Sequence, residues 1–199
     1  EEREQVLREG LATTRAITEK WSRVQVLVAL APQLTGENLR EGLAAARAIE
    51  DERFRAQVLA ALAPQLTGEE REHVLREGLA TARAIKDERF RAQVLVALAQ
   101  QLTGEEREQV LREALAAARA IEDERSRAQV LSALAPLLPH EQVHATLLEF
   151  IERLLNQKRS EVLYLCARKN FFSPPILSPE ILAAIAQHLI EICRKWQWL

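Results

Sequence analysis

The chain repeats its own text. Residues 105–138 read EEREQVLREALAAARAI, EDE, RSRAQVLSALAPLL; closely similar text fills 69–104 and 1–36, and a shortened copy fills 37–68. A fixed period of about three dozen residues is the mark of a repeat architecture. A single unit of this kind cannot bury both of its apolar sides, so each copy needs a neighbour. That condition selects a small set of folds before any other property is considered.

Each copy divides into two helical patterns. In 105–138 the residues Val110, Leu111, Ala114, Leu115, Ala118 and Ile121 fall on one arc at roughly 100° per residue. Val130, Leu131, Leu134, Ala135 and Leu138 make a second stripe. The remaining positions are mostly Ala, Glu, Arg and Gln, which favour helix. Between the stripes stands Glu122-Asp123-Glu124, with Asp123 as N-cap of the second helix. At the junctions, Thr67-Gly68-Glu69-Glu70 and Thr103-Gly104-Glu105-Glu106 fit a capping box led by Thr. The short copy lacks four residues matching Arg107–Val110, close to one helical turn, so Leu39, Leu43, Ala46 and Ile49 stay in phase. Pro32, Pro64 and Pro136 should end the second helices within their last turn; Gln100 replaces proline in the third copy.

These patterns predict an all-α chain: an α-solenoid of four helical hairpins, 1–36, 37–68, 69–104 and 105–138, closed by a C-terminal helical cap at 139–199. The cap contains the extended stretch Phe171–Leu177 and ends in Trp196 and Trp198. Arg23, Arg55, Arg91 and Arg127 recur within the apolar arc of the second helices. There they require partners, and Asp51, Asp87 and Asp123 stand four residues before three of them. The expectation is a structural Asp–Arg ladder linking successive hairpins.

Composition narrows the function. There are 27 Lys and Arg against 29 Asp and Glu, a net charge of −2, without the basic excess of a nucleic-acid binder. No apolar run approaches the length of about 20 residues that spans a bilayer, and no secretory signal opens the chain. Cys166 and Cys193 read as free thiols of a reducing compartment, which places the protein in the cytoplasm. The chain starts in mid-pattern and contains no Met, so a piece of a longer protein is expected.

Chemistry is sparse. His140 and His144 have i, i+4 spacing, but no third ligand accompanies them and no metal is expected. Nucleotide-binding and nucleophile motifs are missing, and no cofactor is implied. The first copy is atypical: Trp21 and Ser22 replace the Arg and Phe of 53–54 and 89–90.

The run DERFRAQVLAAL at 51–62 resembles the second helix of HEAT-like repeats, and the two-helix period is similar to that of tetratricopeptide repeats. The whole chain, including SPPILSPEILAAIAQHLIEIC at 173–193, resembles the C-terminal repeat arrays of bacterial signal-transduction NTPases, especially the large ones of cyanobacteria. That resemblance implies a sensor or assembly scaffold belonging to a larger signalling or defence protein.

The functional expectation is a non-catalytic protein-interaction module that binds a protein or peptide segment, without nucleic acid or membrane. Further repeats of its own parent chain are a second class of partner. The first helices carry small residues such as Ala44, Ala45, Ala46 and Ala48, which suit an inner wall. Arg8, Arg40, Arg76 and Arg112, with Arg15, Arg47, Arg83 and Arg119, would edge it. Arg47, Arg83, Arg119 and Trp21 are the candidate binding residues. Two alternatives stand beside this reading: a structural spacer or oligomerisation element, and an enzyme with its site near Cys166 and His188.

Overall fold

The computed structural model describes residues 2–139, without the side chain of Arg15, together with Gln142, Thr146, Gln187 and Arg194. Among the described residues the regular structure is α-helix and short 3-10 turns, with no strand. The chain forms two compact units, Glu1–Glu122 and Asp123–Leu199. Their boundary falls inside the fourth sequence copy, ahead of its end at Leu138. The expected cap at 139–199, with Cys166, His188, His140 and His144, lies outside the described residues save Pro139 and the four isolated positions.

The first unit contains α1 (Glu2–Ala16), α2 (Lys20–Leu30), α3 (Gly36–Arg47), α4 (Glu52–Leu62), α5 (Gly68–Ala84), α6 (Glu88–Ala99) and α7 (Gly104–Ala120). Helix α1 packs on α2 and α3, α2 and α3 pack on α4, and α4 packs on α5 and α6. Helix α6 in turn packs on α5 and α7. The apolar arcs face inward: Val74, Leu75, Leu79 and Ala82 of α5 are buried, as are Val110, Leu111, Ala114, Leu115 and Ala118 of α7. In the second unit α8 (Glu124–Leu134) buries Val130, Leu131 and Leu134.

The prolines act where the sequence places them. A 3-10 turn follows α2, α4 and α8 at Ala31–Gln33, Ala63–Gln65 and Ala135–Leu137, with proline at its start. Helix α6, which has Gln100 at this position, runs one residue longer than α4. Proline ends the helix because it lacks the amide proton and its ring crowds the preceding turn.

The junctions differ from the capping box that the sequence predicts. Thr35, Thr67 and Thr103 hold the N-cap position in extended conformation, but their side chains make no cap hydrogen bond. The glycine that follows turns the chain instead, with φ of 52°, 58° and 60° at Gly36, Gly68 and Gly104. A Cβ at Gly68 would meet no atom within 4 Å, so the requirement is conformational and not steric packing. Gly68→Ala should destabilise the protein by about 1–2 kcal/mol, the cost of holding an L-residue in the left-handed region. Gly68→Asn should cost less, and urea unfolding of the two variants reads the difference.

The shortened copy keeps its apolar phase. In α3, Leu39, Leu43 and Ala46 are buried, although the helix has 12 residues where α5 has 17. Asn38, also buried, donates from Nδ2 to the Glu4 carbonyl of α1 at 3.1 Å. The amide thus ties the truncated end to the preceding copy.

Candidate functional site

The candidate arginines of the first helices are engaged with their neighbours. Arg47 of α3 reaches Glu77 of α5 through Nε and Nη2, at 3.1 and 2.9 Å to Oε2. Arg83 of α5 makes the same two-pronged pair with Glu113 of α7, at 2.9 and 3.0 Å. Each pair joins residues 30 apart in sequence. Arg119 is also partnered. Arg47 and Arg83, read as part of a binding edge, therefore join successive first helices. Arg40, Arg76 and Arg112 form exposed pairs within their own helices, with Glu37, Glu72 and Glu108.

The hydrogen bond from Arg83, set against partial burial, holds the Glu113 carboxyl below the usual carboxylate range. A depressed carboxyl stabilises the fold above its unfolded pKa of about 4.3, and that contribution is lost as pH falls through the folded value. Arg83→Ala should accordingly flatten the fall of stability between about pH 5 and pH 3. Urea midpoints across that range measure it; parallel curves for parent and variant would exclude the coupling.

The second arginine series departs from the Asp–Arg ladder. Asp51, Asp87 and Asp123 cap their own helices, accepting from the backbone N–H of Arg53, Phe90 and Ser126 respectively. Arg55 donates instead to the Ile49 carbonyl at 2.7 Å, and Arg91 to the Ile85 carbonyl at 2.9 Å. These carbonyls lie just beyond the ends of the first helices, where backbone acceptors lack helical partners. Each guanidinium thus ties together the two helices of one copy. Arg127 pairs with Glu124 at 3.3 Å.

Arg23 differs again. Its Nε is buried without a hydrogen bond, and Lys20 stands where later copies have Glu52, Glu88 and Glu124. The cavity beside it, about 240 Å³, is lined by Lys20, Arg23, Glu50 and Asp51. Two cations against two carboxylates give this cavity no preference for a charged ligand.

A larger groove, about 470 Å³, runs along the second helices of the first three copies. Trp21 and Gln25 of α2, Arg53, Phe54 and Gln57 of α4, and Phe90 and Gln93 of α6 line it. No carboxylate lines the groove. The Arg53 guanidinium lies 5.4 Å from the Phe54 ring centroid and 5.3 Å from that of Phe90. Asp51 holds it from the side with contacts of 3.0 and 2.6 Å. This bond depresses the Asp51 carboxyl below its ordinary range. The Arg53 guanidinium thus lies within cation–π reach of both rings.

Gln25, Gln57 and Gln93 occupy one repeat position, and their amides make no hydrogen bond among the described residues. A free primary amide offers donors and an acceptor of the kind that a peptide backbone uses. Of the predicted binding residues only Trp21 lines this groove. The recurrence of Gln inside the apolar text RAQVL was the available sequence signal, since the position stays polar in every copy without any demand from the core.

No family model, curated protein or solved structure matches the chain. Among the described residues no group of His, Cys, Asp and Glu could hold a metal ion. No described helix is long and apolar enough to cross a membrane.

Proposed function

We propose that the chain is a non-catalytic protein-interaction module, an α-solenoid of stacked hairpins that takes an extended peptide segment along the second helices. The observation that carries this reading is the row of unpartnered amides, Gln25, Gln57 and Gln93, in a groove that Phe54 and Phe90 also line. Neighbouring helix axes in packed proteins lie about 8–10 Å apart, close to the length of three extended residues at about 3.3 Å each. One amide would then meet the peptide backbone every third residue, and the aromatic lining would receive apolar side chains between. The resemblance to repeat arrays of bacterial signal-transduction NTPases agrees with a sensor or scaffold role within a larger protein.

The test begins with a displayed library of random 12-residue peptides selected on the parent protein. Binders should change Trp21 fluorescence. Replacing Gln25, Gln57 and Gln93 together by Ala should weaken them by about tenfold or more, with helicity retained, because each lost amide contact contributes about 1 kcal/mol. Reversing the charge of Arg47, Arg83 and Arg119 should leave those binders in place once folding is accounted for. The opposite pattern would move the site to the first helices. Failure to select any peptide would remove the groove reading.

A further inference from the structure

The large apolar side chains left exposed among the described residues are Val6, Trp21 and Val26, all in the first copy. Val6 is 66% exposed, whereas Val74 and Val110 at the same repeat position are 1% and 0% exposed. Val26 is 36% exposed, and its equivalents Val58 and Val94 are 0% and 6% exposed. Leu30 is half-buried where Leu62 and Leu98 are buried. The difference has a simple origin. Helix α5, which carries Val74, packs on α4 of the preceding copy; α4, which carries Val58, packs on α2; and α6, which carries Val94, packs on α4. Helices α1 and α2 make their contacts with each other and with α3 and α4. The side that receives a preceding copy in α4, α5 and α6 is open in α1 and α2.

The charge pattern on that side is specific. Glu9 occupies the position of Glu77 and Glu113. Each of those two carboxylates accepts a two-pronged hydrogen bond from the arginine of the preceding copy. The Glu9 carboxylate is exposed and is met among the described residues by the Gln5 amide alone, at 3.2 Å. The face therefore combines the apolar residues of an internal interface with its unpaired acidic half.

We infer that this open face is a docking surface for a further helical hairpin of the same repeat type. The hairpin sets its apolar stripe on Val6 and Val26 and an arginine, at the position of Arg47 and Arg83, on Glu9. Continuity with the interfaces between the first three copies defines the shape, and Glu9 defines the charge. A second copy of the chain docked face to face offers Glu9 neither Arg47 nor Arg83, since these are engaged with Glu77 and Glu113, so that occupant fits less well. The inference is independent of the groove on the second helices, since neither Val6 nor Glu9 lines it.

The experiment fuses a duplicate of residues 69–104 directly ahead of Glu1. This places the duplicated arginine of position 83 thirty residues before Glu9, the spacing of Arg83 and Glu113. Amide hydrogen exchange in α1 should slow by about a hundredfold in the fused protein, because the helix changes from a terminal to an internal element. Glutamate at the duplicated arginine should reverse much of the gain, and Glu9→Arg in the same chain should restore it. Val6→Glu should leave the exchange of the parent nearly unchanged and abolish the protection in the fusion. Unchanged α1 exchange in the fusion would overturn the inference. So would sedimentation of the unfused chain as a dimer that Val6→Glu dissociates, since a second copy would then be the occupant. A monomeric unfused chain is the expected result.

Discussion

Leu98→Ala should lower the unfolding free energy by about 3 kcal/mol, within the range found when a fully buried leucine is truncated. Leu98 of α6 is completely buried, and a Cβ placed on Gly78 of α5 would lie 3.3 Å from its Cδ2. The absent side chain of Gly78 is what allows α5 and α6 to approach so closely. Removing Leu98 would open a cavity at this contact, and the two helices cannot collapse into it without disturbing α4 and α7, on which α6 also packs. Leu30 holds the same repeat position in the first copy but is half-buried. A Cβ placed on Gly10 would lie 3.6 Å from its Cδ1. Leu30→Ala should cost about 1 kcal/mol, because solvent already reaches the side chain and less apolar surface is lost. Urea unfolding of the two variants compares one residue at one repeat position in two neighbourhoods. Equal losses would mean that the leucine answers to its own hairpin alone and that adjacent copies contribute little to its burial.

Arg127→Ala should cost about 3 kcal/mol, the scale seen when one partner of a buried ion pair is removed. Arg127 is only 2% exposed, and its guanidinium lies 3.3 Å from the half-buried Glu124 carboxylate. Truncation removes the packed stem and leaves Glu124 without this cation in a partly desolvated setting, so packing and electrostatics act in the same direction. Arg125→Ala, two residues away and exposed, should stay within about 0.5 kcal/mol of the parent. Arg127→Met separates the two contributions. Recovery of most of the loss would assign it to packing of the stem, and no recovery would assign it to the charge pair. Thermal and urea unfolding followed by circular dichroism measure all three. A loss at Arg127 no larger than that at Arg125 would show that burial of the guanidinium carries no stability.

Much of the local structure was legible in the residues. The apolar arcs of α5 and α7, the proline-terminated second helices and the aspartate caps follow from contacts spanning a few residues, and a single sequence contains those contacts in full. The loss of four residues in α3 was readable as helix for the same reason, since it removes close to one turn and leaves Leu39 and Leu43 in phase. Even at short range two competing devices were hard to rank. Thr67 and Gly68 both signal a helix start, and the positive φ of the glycine took the role assigned to the threonine hydroxyl.

The partners of charged groups were decided by tertiary structure. Arg55 is closer in sequence to Asp51 than to the Ile49 carbonyl, but Asp51 is occupied by the amide of Arg53 and by its guanidinium, and Arg55 donates to the carbonyl. Arg47 and Glu77 read as separate surface charges until the packing of successive copies brings them to 2.9 Å. The groove is the extreme case. Arg53 and Phe54 are consecutive residues of α4, but Phe90 comes from α6, and only the packing of α4 on α6 brings one guanidinium close to both rings. Helix phase is set by neighbours three and four positions away, which the sequence states directly. Charge pairing and concavity depend on distances between helices set by the side chains packed between them, and on which of several equally near partners is already engaged.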